Sequence, residues 1–242
     1  MRLRGKMEDF SINSRFLRQE LPFIRYLPPN YNPDRPCSLL IAQDGRDYIQ
    51  IGRLASIADD WISKNIIQPI VIIAIPYESR ASRWKLYHPA GSLHDHYLHA
   101  LAEEVLPFIQ NRTSIASSPD SRTLIGDSLG GTVSLSAALT FPELFHGVIM
   151  QSPYVNEQII DRVNTSANIL PMSIYHSIGR GESQVKTTKG TLENFLSLNQ
   201  DLHRAICTRH PYRYSFHERN GDHTWRSWQP DVRSALLETF SE

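Results

Sequence analysis

The chain has 242 residues, of which 40% are hydrophobic and 21% charged, and its 25 basic and 25 acidic residues give a formal net charge of zero. This balance gives no general attraction to nucleic acid or to an anionic membrane, and no run approaches the roughly 18 apolar residues that span a bilayer. No apolar stretch of signal-peptide length follows the basic N-terminus, so we expect a cytoplasmic protein. We expect no nucleic-acid or membrane partner. The length suits one domain over residues 1–242.

Short β-rich runs alternate with helical patterns along the first half of the chain. Strands are predicted at residues 10–18, 23–27, 38–42 and 71–75, and helices at 51–62 and 93–109. The runs at 38–42 and 71–75 are continuously apolar, as in strands that are buried on both faces of a sheet. The segments after these two strands are predicted to be a turn at 43–47 and a basic loop at 80–85.

The second half continues the alternation. Strands are predicted at residues 123–125, 148–150, 172–177 and 212–218, and helices at 132–139, 157–163, 188–208 and 225–240. Strands that alternate with helices after an initial β pair are typical of the α/β class, in which helices cover both faces of a mostly parallel sheet. Cys37 and Cys207 are too few for a disulfide framework and are expected to be buried thiols.

A glycine–serine turn at residues 126–130 has the pattern G-x-S-x-G. A serine hydroxyl needs a neighbouring base and an exposed geometry to act as a nucleophile. Glycines two residues before and after Ser128 let a strand turn sharply into a helix, which exposes the hydroxyl. The turn lacks the lysine of a phosphate-binding P-loop and the glycine spacing of a dinucleotide site. Ser128 is therefore predicted to be a nucleophile.

Further motifs accompany this turn along most of the chain. They are residues 40–45, 125–131, 141–145, 151–153 and 221–228. In this order they resemble the esterase-D and enterochelin-esterase-like family of the α/β-hydrolases, with mycolyltransferases as more distant relatives. The motif at 221–228, glycine-x-histidine-x-tryptophan-x-x-tryptophan, is the most telling after the serine turn. The resemblance implies an α/β-hydrolase fold and an esterase that uses no cofactor.

A base and an acid are predicted from the order serine, acid, histidine that α/β-hydrolases use. His223 lies in the loop 220–224, where a side chain reaches the top of the sheet, whereas His217 lies within the last predicted strand. The acid is expected after the strand 172–177. Glu182 fits this place, and the family has a glycine-containing loop there.

Other carboxylates fit the role of the acid less well. Asp161 precedes the strand in question, and Asp201 lies in a helical pattern. Asp222 is adjacent to His223 and points elsewhere from a tight loop. The alternative for Glu182 itself is that it is a solvated loop carboxylate.

Hydrogen-bond donors are also needed for the negative oxygen of a tetrahedral intermediate. One donor is predicted to be the backbone N–H of Leu129, the residue after the nucleophile. The resemblance implies that the other is the backbone N–H of Arg46, which follows an Asp-Gly pair in the loop after the third strand. The side chain of Arg46 is not required for this role.

Two groups of residues give weaker signals. His94, His96 and His99 look superficially like a metal cluster, but no second cluster supplies the remaining ligands, and no metal is predicted. Basic residues also follow predicted strands at the carboxyl edge, where α/β sheets bind ligands. They are Arg46, Arg80, Arg83, Lys85 and Arg180. They form either a cationic pocket mouth that favours anionic substrates or a solvated basic loop, and the second interpretation is preferred.

The leading hypothesis is a serine ester hydrolase that forms an acyl-enzyme on a small or accessible ester. Ser128 attacks, His223 carries the proton, and Glu182 orients His223. Only about 20 residues separate the strands 148–150 and 172–177, so there is little or no room for a cap domain and the site is expected to be open. The alternatives are a siderophore trilactone esterase or thioesterase, an acyltransferase with the same triad, and a non-catalytic binding protein on this fold.

Overall fold

The computed structural model describes residues 3–167, 170–187 and 190–241. Within these ranges the strands are Lys6–Ser14 (β1), Gln19–Leu27 (β2), Ser38–Ala42 (β3), Ile70–Ala74 (β4), Arg122–Asp127 (β5), Gly147–Gln151 (β6), Ser173–Gly179 (β7), Val185–Lys186 (β8), Leu192–Glu193 (β9) and Arg213–Arg219 (β10). The α-helices are Gly45–Gln50 (α1), Leu54–Ser63 (α2), Arg80–Tyr87 (α3), His94–Ala100 (α4), Leu106–Gln110 (α5), Leu129–Thr140 (α6), Glu157–Thr165 (α7), Phe195–Cys207 (α8) and Trp225–Phe240 (α9).

Eight of these strands form one sheet in the order β1-β2-β4-β3-β5-β6-β7-β10. The pairs β1–β2 and β2–β4 are antiparallel, and every other pair in this sheet is parallel. Strands β8 and β9 form a separate short hairpin. The mostly parallel sheet and its initial antiparallel pair are as predicted, and the carboxyl ends of β3, β5, β6 and β7 meet at one edge.

The hydrophobic core lies on both faces of the sheet. Successive residues of a strand point to opposite faces, and in β3 Leu39 and Ile41 join one buried apolar cluster whereas Leu40 and Ala42 join the other. Helix α6 is buried on nearly all sides, which explains why its sequence is apolar all round. The helices therefore cover both faces, as the α/β class requires.

Helix α3 is the largest departure from the sequence prediction, which places a basic loop at residues 80–85. Ser79 caps this helix and exchanges backbone and side-chain hydrogen bonds with Ser82 in a capping box. Only Leu86 and Tyr87 of the helix are buried. The apolar residues of this helix therefore do not recur at helical spacing, so hydrophobic periodicity does not reveal it.

Other element boundaries also differ from the predictions, and the helix predicted at 51–62 begins at Leu54, after the short helix α1. The first strand ends at Ser14 rather than at residue 18, because a turn follows in which Arg18 has a φ of 54°. The helix predicted at 93–109 is interrupted by the π-helix Leu101–Val105. The helix predicted at 188–208 begins at Phe195, after the β8–β9 hairpin, and residues 188 and 189 lie outside the described residues.

The two cysteines differ in their exposure. Cys37 is buried as predicted, whereas Cys207 is exposed because it is the last residue of α8. None of the helices in the described part of the chain combines the length and apolar character that crossing a lipid bilayer requires.

Candidate active site

Ser128 lies at the turn between β5 and α6, with φ 50° and ψ −122°. Its backbone N–H donates to the carbonyl of Gln151 at 2.9 Å, which holds the turn against the end of β6. A Cβ at Gly126 would collide with the backbone of Gly130, so the strand and the helix can approach this closely because residue 126 is a glycine. This is the strained strand-to-helix turn that the G-x-S-x-G motif predicts.

Three side chains from distant parts of the chain meet at this turn. His223 Nε2 lies 3.0 Å from Ser128 Oγ, and His223 Nδ1 lies 2.6 Å from Glu182 Oε2. A carboxylate only accepts hydrogen bonds, so Nδ1 donates to Glu182 and Nε2 is left to accept from the Ser128 hydroxyl. The sequence-predicted nucleophile, base and acid are therefore brought together in one hydrogen-bonded line.

Glu182 is buried, and its other oxygen is also bonded. Oε1 accepts from Ser152 Oγ at 2.6 Å and from the backbone N–H of Gly179 at 2.9 Å. Ser152 Oγ accepts in turn from Trp228 Nε1–H at 3.0 Å. Both oxygens of the carboxylate are thus hydrogen-bonded, which fixes its orientation toward His223.

Aromatic rings confine the His223 imidazole. The Phe195 ring lies 4.5 Å from it and the Trp228 ring 4.9 Å, both edge-to-face. Trp225 packs against Trp228 at 5.7 Å and against Tyr48 at 4.9 Å. The two tryptophans of the 221–228 motif therefore brace the His223 loop, as their spacing suggests.

The two predicted oxyanion donors begin neighbouring helices. Leu129 is the first residue of α6, and Arg46 is the second residue of α1. The first N–H groups of a helix have no carbonyl partner within the helix, which is the condition that an oxyanion donor must meet. Gly45 packs directly on the backbone of Ala74 at the end of β4, where a Cβ would not fit.

A buried charge cluster joins these helix starts. Arg83 on α3 donates to both oxygens of Asp44 at 2.6 Å each and to the backbone carbonyl of Asp127 at 3.1 Å. Although burial alone lowers the pKa of Arg83, ion pairing with Asp44 raises it above the usual range. The guanidinium is therefore a permanent cation in this cluster.

Asp127 is the more weakly paired carboxylate of the cluster, since its Oδ2 lies 3.8 Å from the Arg83 guanidinium. Burial raises the pKa of its carboxyl well above the usual range, and the neighbouring Asp44 carboxylate raises it further. Among the described residues its Oδ1 has no hydrogen-bond partner. Asp44 and Asp127 share one arginine, so the Asp127 carboxyl binds a proton more readily than a free aspartate does.

Asp127→Asn is expected to stabilise the protein by an amount that is larger at pH 8 than at pH 5. In the unfolded chain Asp127 ionises near its ordinary pKa of about 4, whereas burial raises its pKa in the folded state. Folding therefore takes up a proton between the two pKa values, and wild-type stability falls as pH rises through that range. Asparagine does not titrate. Chemical unfolding at pH 5 and pH 8 measures the difference.

The control for this prediction is Asp34→Asn, which makes the same charge change at an exposed position. It is expected to alter stability by less than about 0.5 kcal/mol at either pH. A stability gain from Asp127→Asn that stays constant or shrinks between pH 5 and pH 8 would show that Asp127 is ionised in the folded protein.

A cavity of about 410 Å³ opens above Ser128. Its walls come from α3, from the segment after β6, from the β8–β9 hairpin and from α8 and α9. The aromatic residues among its lining are Tyr77, Trp84, Tyr154, Phe195, Trp225 and Trp228. Aromatic side chains thus form a large part of the pocket wall, and in the described residues between β6 and β7 the chain holds the single helix α7 and no cap domain.

The basic residues proposed for a cationic mouth do not act as a group. Arg83 is internal and paired, so the preferred interpretation of a solvated loop is wrong for it. Arg180 pairs with Glu218 and lines a different cleft, and Arg46 is exposed outside the cavity lining. Arg80 is exposed and lines the cavity.

The histidine group on α4 is dispersed. His94 is buried with Nδ1 on the Leu86 carbonyl at 3.2 Å, and His99 pairs with Glu103 at 2.6 Å. Within the described ranges no group of three or more histidine, cysteine, aspartate and glutamate side chains is arranged to hold a metal ion.

Several residues of the site have no role in the sequence prediction. Ser152 falls in the 151–153 motif, directly after a predicted strand next to the nucleophile strand, and this position is the signal that it faces the site. Asp44 and Asp127 likewise follow predicted strands. Tyr154 and Phe195 carry no such signal, because they look like ordinary core residues.

Residues 14–239 match the model of a protein family described as "Putative esterase". YjcH, an uncharacterized protein of Bacillus subtilis, is 38% identical over 232 residues, which cover 96% of each chain.

Solved structures share the fold at low identity. The enterobactin esterase FES from Shigella flexneri has a TM-score of 0.78 at 16% identity; the match covers 96% of this chain but spans only 59% of FES. A CE1 ferulic acid esterase from Anaeromyces mucronatus has a TM-score of 0.72 at 15% identity, with 96% and 90% covered. The predicted α/β-hydrolase fold is confirmed. The chain therefore belongs to this esterase family of α/β-hydrolases, a family of carboxylic ester hydrolases.

Proposed function

We propose that this chain is a serine ester hydrolase that works through an acyl-enzyme, with Ser128 as nucleophile, His223 as base and Glu182 as the acid that orients it. The observation that carries the proposal is the unbroken line Ser128 Oγ–His223 Nε2–His223 Nδ1–Glu182 Oε2, with links of 3.0 and 2.6 Å. These distances are those of a hydroxyl ready to pass its proton to a base as it attacks.

The reaction proceeds in two halves. Ser128 Oγ attacks the ester carbonyl carbon while His223 Nε2 takes its proton, and the resulting imidazolium is stabilised by Glu182. His223 then protonates the departing alcohol, which leaves an acyl-enzyme on Ser128. A water molecule, deprotonated by the same nitrogen, attacks the acyl carbon and releases the acid.

The oxyanion of each tetrahedral intermediate is held by the backbone N–H groups of Leu129 and Arg46. Both precede the first intrahelical bonds of their helices, and the positive end of the α6 dipole adds to their effect. Neither donor depends on its own side chain. This part of the proposal is therefore tested through the residues that hold the two backbones in place.

The substrate is proposed to be a small ester with an aromatic group. The cavity above Ser128 is lined by six aromatic side chains and has a volume of about 410 Å³, which suits one planar ring and a short chain. Aromatic walls favour such a ring by edge-to-face and offset stacking. Among the structural neighbours, FES was determined with 2,3-di-hydroxy-N-benzoyl-serine, and another is a ferulic acid esterase.

The proposal is tested with a fluorophosphonate and an ester panel. The probe is expected to add one phosphonyl group per chain, on the peptide that contains Ser128. The acyl preference is measured from the turnover of p-nitrophenyl esters and from the turnover of methyl cinnamate compared with methyl butanoate. The partition of product between water and added methanol separates hydrolysis from acyl transfer. A folded protein that neither reacts with the probe nor cleaves any ester would contradict the proposal.

Ser152→Ala is expected to lower kcat by roughly 10- to 100-fold with little change in KM, because Glu182 loses the hydroxyl that fixes its Oε1. The substitution also leaves the Trp228 N–H without its partner, at a cost of about 1–3 kcal/mol in stability. Steady-state kinetics and thermal unfolding measure the two effects separately.

Two variants serve as comparisons for Ser152→Ala. Ser183→Ala makes the same change at an exposed position of the Glu182 loop and is expected to leave kcat unchanged. Trp228→Phe removes the donor to Ser152 but keeps the hydroxyl on Glu182, so its effect on kcat is expected to be smaller. Equal kcat for Ser152→Ala and Ser183→Ala would show that Ser152 does not position the acid.

A further inference from the structure

Arg83 is a largely buried cation that also lines the cavity, and the proposed triad does not explain its role. Its hydrogen bonds go to the Asp44 carboxylate and to the backbone carbonyl of Asp127 rather than to Ser128 or His223. The residue comes from α3, a separate element from the two it contacts. It thus joins the end of β3 to the end of β5 by a side chain.

The two contacted residues have equivalent places in the chain. Asp44 lies two residues before Arg46, and Asp127 lies two residues before Leu129, so each stands at the same short distance along the chain from a proposed oxyanion donor. Two residues of chain span at most about 7 Å. A displacement at either contact point is therefore transmitted to the donor that follows it.

The geometry of the guanidinium is tightly fixed. Its fork binds both Asp44 oxygens at 2.6 Å, an arrangement that sets direction as well as distance. The rings of Tyr77 and Tyr87 lie 5.7 and 5.6 Å from its centre.

Asp44 is held on its other side by the nucleophile turn. A Cβ at Gly130 would lie only 2.6 Å from Asp44 Oδ2, so this carboxylate packs directly on the start of α6. Asp44 itself has the left-handed conformation, φ 54° and ψ 39°, immediately before α1. A non-glycine residue keeps this conformation where the surroundings determine it.

We propose that Arg83 is a positioning residue that sets the separation of the two oxyanion donors, the N–H groups of Arg46 and Leu129, by tying Asp44 to Asp127. The inference rests on the proposed function, since it concerns the oxyanion hole of that reaction. It assigns Arg83 a role in the transition state rather than in substrate binding. Its loss is expected to weaken the stabilisation of the negative charge that develops on the substrate oxygen.

The test uses Arg83→Lys as the principal variant. Lysine keeps a positive charge for Asp44 but cannot bridge both carboxylate oxygens and the Asp127 carbonyl in one plane. The double variant Arg83→Gln/Asp44→Asn removes both charges together and tests the bridge if the single variant does not fold. Lys85→Met, an exposed change on the same helix, is the control.

Three quantities are compared: KM, kcat, and the affinity of an aryl trifluoromethyl ketone, whose adduct with a serine carries an oxyanion. We expect Arg83→Lys to lower kcat by roughly 10- to 100-fold, to weaken the ketone by a similar factor, and to leave KM within about 3-fold. The double variant is expected to show the same pattern, and Lys85→Met none of it.

Several outcomes would overturn the inference. A raised KM with normal kcat would make Arg83 a substrate-binding residue, and a lowered melting temperature with normal kcat and ketone affinity would make it structural only. A fall in kcat without loss of ketone affinity would separate Arg83 from the oxyanion hole. Failure of the wild-type protein to react with a fluorophosphonate would instead contradict the proposed function. This labelling is therefore measured before any Arg83 variant is assayed.

Discussion

Ser128→Ala is expected to reduce kcat by roughly 10⁵-fold or more and to abolish labelling by a fluorophosphonate. The substitution removes the oxygen that lies 3.0 Å from His223 Nε2 and leaves no atom to carry the acyl group. Substrate binding is expected to persist, because the aromatic walls of the cavity are unchanged. Ester turnover and intact-protein mass spectrometry measure the two losses.

The matched control for Ser128→Ala is Ser136→Ala. Ser136 lies two turns further along α6, is buried, and its hydroxyl has no hydrogen-bond partner in the described part of the chain. The change is chemically identical and is expected to leave kcat and labelling intact. Ester turnover that survives in Ser128→Ala at a substantial fraction of the wild-type rate would rule out the acyl-enzyme mechanism.

Glu182→Gln is expected to lower kcat by roughly 10³- to 10⁴-fold with KM little changed. An amide can turn its N–H₂ toward His223 Nδ1 and stabilise the tautomer that carries its proton on Nε2. That tautomer cannot accept the proton of Ser128, although every atom stays close to its place. Steady-state kinetics measures the loss, and thermal unfolding checks that the protein remains folded.

Asp222→Asn provides the comparison for this acid. Asp222 is adjacent to His223, but its carboxylate accepts from Thr224 Oγ1 and Ser227 Oγ at 2.6 and 3.0 Å instead. Its replacement is expected to change kcat by less than about 5-fold. If Asp222→Asn lost more activity than Glu182→Gln, the acid of the triad would be wrongly assigned.

Much of the fold and of the proposed triad could be predicted because their signals are local. A strand buried on both faces, such as Ser38–Ala42, has a continuous apolar run, and its bounds agree with the prediction. The turn at Ser128 needs small residues on both sides, so it leaves a pattern in the sequence. His223 and Glu182 could be placed because they follow strands whose order is set by the fold.

The remaining parts depend on contacts between distant segments. Helix α3 has no apolar stripe, and Arg83 looks like a surface residue until Asp44, 39 positions away, is seen beside it. The β8–β9 hairpin is too short to show alternation. Ser152 could be placed near the site but not given a partner, because its partners Glu182 and Trp228 come from two other elements.

The walls of the cavity and the reacting groups come from different parts of the chain. Ser128, Glu182 and His223 follow strands of the buried sheet, whereas Trp84 and Tyr154 are half-buried residues outside it. Substitutions at wall residues such as Trp84 and Tyr154 leave the hydrogen bonds between Ser128, His223 and Glu182 in place. Directed evolution of such wall positions is therefore expected to yield variants with new ester preferences that keep the Ser128–His223–Glu182 geometry.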